Sequence, residues 1–584
     1  MSDSHETVGA SEAEDRSPVW PLRPLLLAVL GFATGLAVHL LVGDLPDFKF
    51  TPLLMAELTF ITVSAGLIGF TVERRSWPVA VIFSVVAGAI AAAVVWWNGA
   101  PDQWSGGDGW RGVSLLLAIA IAAPLFQAAR DEGRVRFPYI SVHDHAWTNI
   151  VLWGASWAFV GVTIALAFLL SQLFHLIKLD FLKDLLEKDW FWRVLIGTAF
   201  GGGLGILREH DVVVRTLQRV VLTVLSVLAP VLAAGLIVFV LALPFTGLAP
   251  LWEAGSATGI LLACIVGSLI LANSVIGNAP EEERRFPALR YGAMGLGLVM
   301  LPLAVIAAIA IGLRIGQYGF TPERLWALTF VILACAYGVA YLVSLLRGRL
   351  DWAAKVRPAN LNLAFGTCAI ALLLATPLVS FNAIATHDQV ARLESGKLSP
   401  EKFDWRALAF EFGEPGRKAL AKLKMSANAA IRERALAAGK AENRWDVPET
   451  QQSQVDVAKH LRVLPAGATL PAGALDALVS QRCGMEEEGG CTVLVVDPAT
   501  FVLLRDNCFR ADRNWPCNGG ETFLLAAGKW TEDNRAPMMP ASKDTAKAEA
   551  QAQKRAYDAG QVQVRKVERR QLFIGGKPVG SVFE

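Results

Sequence analysis

The chain has 584 residues, 54% of them hydrophobic, with 54 basic against 52 acidic side chains and a formal net charge of +2. Apolar residues at that level, arranged in long blocks, exclude an ordinary soluble protein and define a polytopic membrane protein. The near balance of charge provides no broad basic face, which argues against nucleic acid as a partner.

Residues 1–20 are polar, and Glu6, Glu12, Glu14 and Asp15 outnumber Arg16, the wrong sign for a secretory leader. This Ser-, Glu- and Ala-rich stretch is expected to be a disordered cytoplasmic tail ahead of an uncleaved anchor.

About eleven apolar runs follow: Leu22 to Val42, Pro52 to Val72, Trp77 to Trp97, Gly112 to Ala129, Ile150 to Phe174, Val194 to Leu207, Val220 to Leu243, Ala257 to Ile276, Ala288 to Leu313, Leu325 to Leu346 and Leu361 to Phe381. A helix rises about 1.5 Å per residue and the hydrocarbon layer is roughly 30 Å thick, so most of these runs can span it. The sixth is short and carries Gly197, Gly201, Gly202, Gly203 and Gly205, which fits either close helix packing or a broken, re-entrant segment. Just before it, Asp180 to Trp192 alternates apolar and charged faces and is expected to lie flat on the membrane surface.

Loop charge sets the orientation. With the N-terminus inside, the cytoplasmic loops hold Arg74, Arg75, Arg130, Arg134, Arg136, Arg208, Arg215, Arg219, Arg284, Arg285, Arg290, Arg347, Arg349, Lys355 and Arg357. The outer loops are poorer in bases, holding Lys49, Arg111, Lys178, Lys183, Lys188, Arg314 and Arg324. An odd number of spans then delivers the C-terminal part to the outside. Trp77, Trp96, Trp97, Trp104, Trp110, Trp190 and Trp192 fall near span ends, where an indole suits the headgroup layer. Thr321-Pro322-Glu323 and Ser399-Pro400-Glu401 both read as helix starts, with a hydroxyl cap, proline and an early acid.

The domain reading is a transmembrane helical domain over 21–382, a helical stalk over 383–445 broken at Pro415-Gly416, and a small α+β extracytoplasmic domain over 446–584. In the last, residues 492–496, 522–526 and 561–567 read as strands, residues 571–583 as a hairpin turning at Gly575-Gly576, and Asp544 to Ala559 as a helix. Cys483, Cys491, Cys508 and Cys517 cluster there, an even number that suggests a disulfide framework in an oxidising compartment. Cys264, Cys335 and Cys368 sit singly in apolar runs as packing residues.

No phosphate-binding, zinc-protease, nucleophile-elbow or dinucleotide signature is present, so no enzyme class, cofactor or metal is assigned. Ionisable groups inside spans are costly and mark the next place to look. His39, near the end of the first run, and Glu57, near the start of the second, are placed at similar depth and are expected to pair, as a cation or proton site or as a structural ion pair. A second polar cluster begins the fifth span: Phe137-Pro138-Tyr139, His143, Asp144, His145, Trp147 and Asn149. His145 and Asn149, four apart, share a helix face, and Arg130, Arg134 and Arg136 precede them, where they could bring in an anionic headgroup. The plainer reading is a helix cap with an interfacial Trp, and H-x-H alone does not define a metal site.

The elements Phe137-Pro138-Tyr139, His145-Ala146-Trp147-x-Asn149, Tyr318-Gly319-Phe320-Thr321-Pro322-Glu323-Arg324, Asp388-Gln389-Val390-Ala391-Arg392 and Lys402-Phe403-Asp404-Trp405 resemble a family of bacterial integral-membrane proteins catalogued as domain of unknown function 4153. The resemblance covers most of residues 20 to 425. It implies a multi-pass protein of the bacterial inner membrane and brings no established activity with it. Three functions compete: a transporter-like or lipid- and envelope-component-handling protein, an envelope-modifying enzyme with a periplasmic lid, and a sensor or assembly platform whose periplasmic domain binds an envelope partner. Membrane lipids are the expected partners, and the first function is favoured.

Overall fold

The computed structural model describes residues 20–43, 50–101, 104–105, 107–248 and 257–441, and beyond them 443–444, 447, 457, 461–465, 467–481, 490–505, 521–526, 528–533, 551–552, 554–559, 570–574 and 577–583. Residues 1–19 of the expected N-terminal tail, the strand at 561–567, residues 544–550 and 553 of the expected helix, and Cys483, Cys508 and Cys517 lie outside the described residues, while 551–552 and 554–558 are helical as expected. The chain divides into two compact units, one of residues to Arg392 with Phe410–Leu420, the other of Leu393–Ala409 with everything from Ala421 onward.

The first unit is helical. Its helices are α1 Arg23–Val42, α2 Pro52–Thr71, α3 Trp77–Asn98, α4 Gly109–Asp131, α5 Tyr139–Leu176, the short α6 Phe181–Leu186, α7 Asp189–Glu209, α8 Asp211–Thr246, α9 Ala257–Ile276, α10 Pro287–Tyr318, α11 Pro322–Gly348, α12 Ala353–Ala375 and α13 Phe381–Glu394. Eleven of them are long and apolar enough to cross a membrane. Several starts follow from local chemistry: Thr51 Oγ1 accepts from Leu54 N at 3.2 Å with Pro52 next to it, and Thr321 Oγ1 accepts from Arg324 N at 3.3 Å ahead of Pro322.

Hydrogen bonds between helix ends show that the eleven run alternately up and down. At one end, here called the basic end, Arg23 Nη2 meets Glu73 at 2.6 Å, His145 meets Asp131 at 2.8 Å, Arg284 donates to Thr223 at 2.9 Å and Arg357 to the Ile276 carbonyl at 2.6 Å. At the opposite end Arg193 donates to the Gly43 carbonyl at 2.8 Å, Asn98 to the Ala375 carbonyl at 2.8 Å and Gln389 to the Tyr318 carbonyl at 2.9 Å. The loops rich in Arg therefore gather at a single end.

The glycine-rich sixth run is part of a continuous 21-residue helix, α7, packed along α1. The backbones touch: a Cβ built on Gly197 would lie 2.3 Å from the Gly31 carbonyl oxygen, and one on Gly201 would lie 2.0 Å from that of Leu27. Only glycine permits such an approach, so these residues serve close packing rather than a break in the helix. The flat surface helix is shorter than expected. Lys188 adopts an extended conformation that ends α6, and Trp190 and Trp192 belong to the first turn of α7.

The last span also shifts. Its helix, α12, runs from Ala353 to Ala375 and stops at Thr376, whose extended conformation is what a residue before proline prefers. Pro358 is carried inside the helix, one turn after its start. Beyond α13, Pro415 lies in the first turn of α14 (Gly413–Leu423), where proline is tolerated, and the break falls at Gly413 with φ +60°. α15 follows at Ala429–Ala438, capped by Asn428.

In the second unit Ser399 to Lys402 forms a turn rather than a helix start, and Asp404 does the capping instead by accepting from Ala407 N at 2.8 Å. The sheet has five strands in the order β1 Leu461–Leu464, β2 Cys491–Asp497, β3 Thr500–Arg505, β4 Glu521–Ala526 and β5 Lys529–Asp533. β1 and β2 are parallel and the rest antiparallel, with α16 (Ala474–Ser480) between β1 and β2 in sequence. A parallel pair needs such a crossover, and Leu478 joins Val493, Phe501, Leu503 and Phe523 in a buried core. Phe501 and Phe523 oppose each other across the β3–β4 ladder and stack with centroids 4.9 Å apart. β6 Arg570–Ile574 and β7 Lys577–Phe583 form the expected separate hairpin. Cys491 is buried at the start of β2.

Candidate functional site

The first turns of α5 hold the polar cluster anticipated from sequence, because the helix begins at Tyr139, directly after Pro138 in an extended conformation, well before the apolar run. Side chains four apart share a face, and three such faces engage three different neighbours. His145 Nε2 lies 2.8 Å from Asp131 Oδ2, and Asn149 Nδ2 donates to Gln127 Oε1 at 2.7 Å, both partners being on α4. Gln127 in turn donates to the Phe70 carbonyl at 3.0 Å. Thr148 donates to Gln218 of α8 at 3.3 Å, and Gln218 donates to Asp144 at 3.4 Å. Tyr139 and His143 form the third face, with rings 5.3 Å apart, and the Trp147 indole N–H donates to His143 Nε2 at 3.2 Å.

That third face opens on a polar seam inside the bundle. Asn360 of α12 donates to Asn273 Oδ1 of α9 at 2.7 Å and to the Tyr341 hydroxyl of α11 at 3.1 Å, and Asn273 Nδ2 donates to the same hydroxyl at 2.8 Å. Tyr341 is fully buried. The Tyr139 hydroxyl adjoins the Asn360 side chain, and neither it nor Asn360 Oδ1 makes a hydrogen bond of normal geometry, although both atoms are buried. Arg357, one turn before Asn360, donates to the carbonyls of Ile276 and Ala279 at 2.6 and 3.2 Å. It thereby caps the C-terminal end of α9, where a cation is favoured.

The arginines expected to serve His145 and Asn149 divide their roles. Arg130 is held by Asp131 at 2.7 Å and by the Thr71 carbonyl. Arg134 faces Glu132 at 3.6 Å, and Arg136 is exposed with no side-chain partner among the described residues. The His145 and Asn149 face is thus occupied by α4, while Arg136 remains open to an anion.

His39 and Glu57 are not brought together. His39 Nδ1 accepts from Arg193 of α7 at 2.8 Å, on the face of α1 where Gly35 also meets the Arg193 backbone. Glu57 is exposed and without a hydrogen-bond or ion-pair partner among the described residues. It lines an apolar groove of about 340 Å³ with Leu41, Ala56, Phe60, Ile61 and Ala92.

Two clusters went unseen in the sequence. At the basic end Glu73 takes Arg208 at 2.5 Å and Arg23 at 2.6 Å, Arg23 also meets Glu209 at 3.1 Å, and Arg208 donates to the carbonyls of Gly69 and Val72. At the opposite end the Tyr318–Thr321 loop is clasped by α13: Phe320 N donates to Asp388 Oδ2 at 2.8 Å, Gln389 donates to the carbonyls of Tyr318 and Phe320, each at 2.9 Å, and Arg392 to that of Ile315 at 3.2 Å. Gly319, at φ +80°, admits this contact, since its Cβ would lie 2.6 Å from Asp388. Two sequence motifs far apart in the chain are thus halves of one lock. Among the described residues, no three His, Cys, Asp or Glu side chains converge as a metal set would require.

A bundle of eleven apolar helices tied at both ends and crossed by a polar seam defines a multi-pass integral membrane protein. Over residues 58–423 the chain is matched by the model of a domain of unknown function, DUF4153, and it belongs to that family. No curated protein and no solved structure matches it. The family match takes in the seam, the α13 lock and Lys402 to Trp405, and it stops short of the sheet.

Proposed function

We propose that this chain is a transporter-like protein of the bacterial inner membrane that handles a lipid or another envelope component through the seam between α5, α9, α11 and α12. The supporting observation is a pair of adjoining buried polar atoms, Asn360 Oδ1 and the Tyr139 hydroxyl, that make no hydrogen bond of normal geometry and lie beside a hydrogen-bonded Asn273–Tyr341 pair. Polar groups inside a bundle are costly and tend to mark a pathway, and orphaned ones offer bonds to a passing ligand. Arg136 at the nearby mouth adds an open cation for an anionic headgroup. In this reading the basic end is cytoplasmic, the N-terminus is inside and the C-terminal domain is periplasmic, with disulfides among Cys483, Cys491, Cys508 and Cys517.

The test compares lipid and envelope-polymer content of deletion and wild-type cells, then complements the deletion with Asn360→Leu. A specific change on deletion that wild type restores and Asn360→Leu does not supports the reading. Unchanged content, or full rescue by the variant at normal abundance, removes it. The five-stranded sheet beyond the family match favours a second reading, an assembly platform whose periplasmic domain binds an envelope partner. A truncation that abolishes function while seam substitutions are silent would select it.

A further inference from the structure

Glu57 stands apart from the seam, on the lipid-facing side of the bundle at the end opposite the basic loops. Counted from the Thr51 cap, it lies about 9 Å along α2, at a rise of about 1.5 Å per residue. The exposed indoles of Trp96 and Trp97 close α3 at the same end, and Ala92, about one turn deeper, lines the groove with Glu57. A carboxylate here shares its groove with the apolar side chains of Leu41, Phe60 and Ile61 and has no partner among the described residues. An ionised group in such a place requires a counter-charge, and the groove beside it is apolar and open.

We infer that this groove is a binding site for a phospholipid with a primary-amine headgroup, its ammonium on the Glu57 carboxylate and an acyl chain along Leu41, Phe60 and Ile61. Charge complementarity selects the occupant. An anionic lipid is repelled by the carboxylate, and a choline headgroup carries the positive charge but no N–H to donate. A primary ammonium supplies both charge and donors, and the side chain can reach up from its helix toward the headgroup layer. The site does not depend on the seam and stands whether or not the seam carries a substrate.

The experiment is native mass spectrometry of the full-length protein with added phosphatidylethanolamine, phosphatidylcholine or phosphatidylglycerol of identical acyl chains. A charge-assisted hydrogen bond corresponds to a preference for the amine lipid of roughly tenfold over the choline lipid. Glu57→Gln, which keeps the shape at an exposed position, should abolish the preference, and N-acetylated phosphatidylethanolamine should bind the wild type no better than the choline lipid. Phe60→Ala should weaken retention of all three lipids while leaving the amine preference. Equal retention of the three by wild type, or an unchanged preference in Glu57→Gln, would overturn the assignment. So would a change of Glu57→Gln from dimer to monomer with no change in lipid preference, which would make the groove a contact between copies.

Discussion

Asn360 donates to the Tyr341 hydroxyl at 3.1 Å while its own carbonyl oxygen, buried beside Tyr139, accepts no hydrogen bond of normal geometry. An amide that spends both donors on Asn273 and Tyr341 and leaves its acceptor vacant is poorly explained by packing alone. An apolar side chain there would cost less, so a half-satisfied polar group at this position calls for a role.

Arg208 is expected to be a stability residue rather than a functional one. It is buried, paired with Glu73 and bonded to the carbonyls that end α2. Arg208→Ala leaves those carbonyls without their donor and Glu73 with Arg23 alone, and should destabilise by about 3–5 kcal/mol. Thermal unfolding of purified protein in detergent would read this, and a loss below about 1 kcal/mol would mean that the network is solvated and of little consequence.

The α1–α7 contact should tolerate no side chain at its centre. Gly197→Val places a Cβ 2.3 Å from the Gly31 carbonyl oxygen and must push the helices apart. Gly66→Val, with open space around its Cβ, is the matched control. The expected outcome is loss of folded protein for the first and near-normal yield for the second; equal yields would show that the two helices can separate freely.

A reporter active only outside the cytoplasm should work when fused after Glu584 and stay silent when fused at Arg219. The opposite pattern would invert the orientation, although the alternation of the helices would remain.

Four cysteines of the tail should form two disulfides. Loops of about ten residues, as in Cys483 with Cys491 and Cys508 with Cys517, can stabilise by about 2–3 kcal/mol, and the pairing itself is one of three. Mass spectrometry after alkylation of non-reduced protein should find Cys264, Cys335 and Cys368 labelled under denaturing conditions and the other four protected. Four further labelled thiols would remove the framework.

The spans were legible because an uncharged run of about twenty residues has few competing explanations, and the loop arginines ordered them. What the sequence hid were contacts between runs. Nothing in the local pattern says that Gly31 and Gly197 face each other, so the sequence pairs His39 with its neighbour in the chain, Glu57, and hides Arg193. The cluster on α5 was legible in part, since the spacing of His145 and Asn149 gave their shared face correctly. That face turned out to be filled by Asp131 and Gln127, while the emptier one, Tyr139 with Asn360, draws on α12, far along the chain. In the tail, β2 and β4 read as apolar runs, whereas β1 and β5 are short and depend on pairing for their definition, and β3, as long as β4, went unread.

The most direct test sets two variants against each other in a deletion strain with a measurable envelope phenotype, each confirmed at normal membrane abundance. One combines Asn360→Leu with Tyr139→Phe; the other truncates the chain after about residue 445. If the seam carries function, the double substitution loses complementation and the truncation retains most of it. Full complementation by the double substitution, with loss on truncation, would contradict the seam and move the working site to the C-terminal domain.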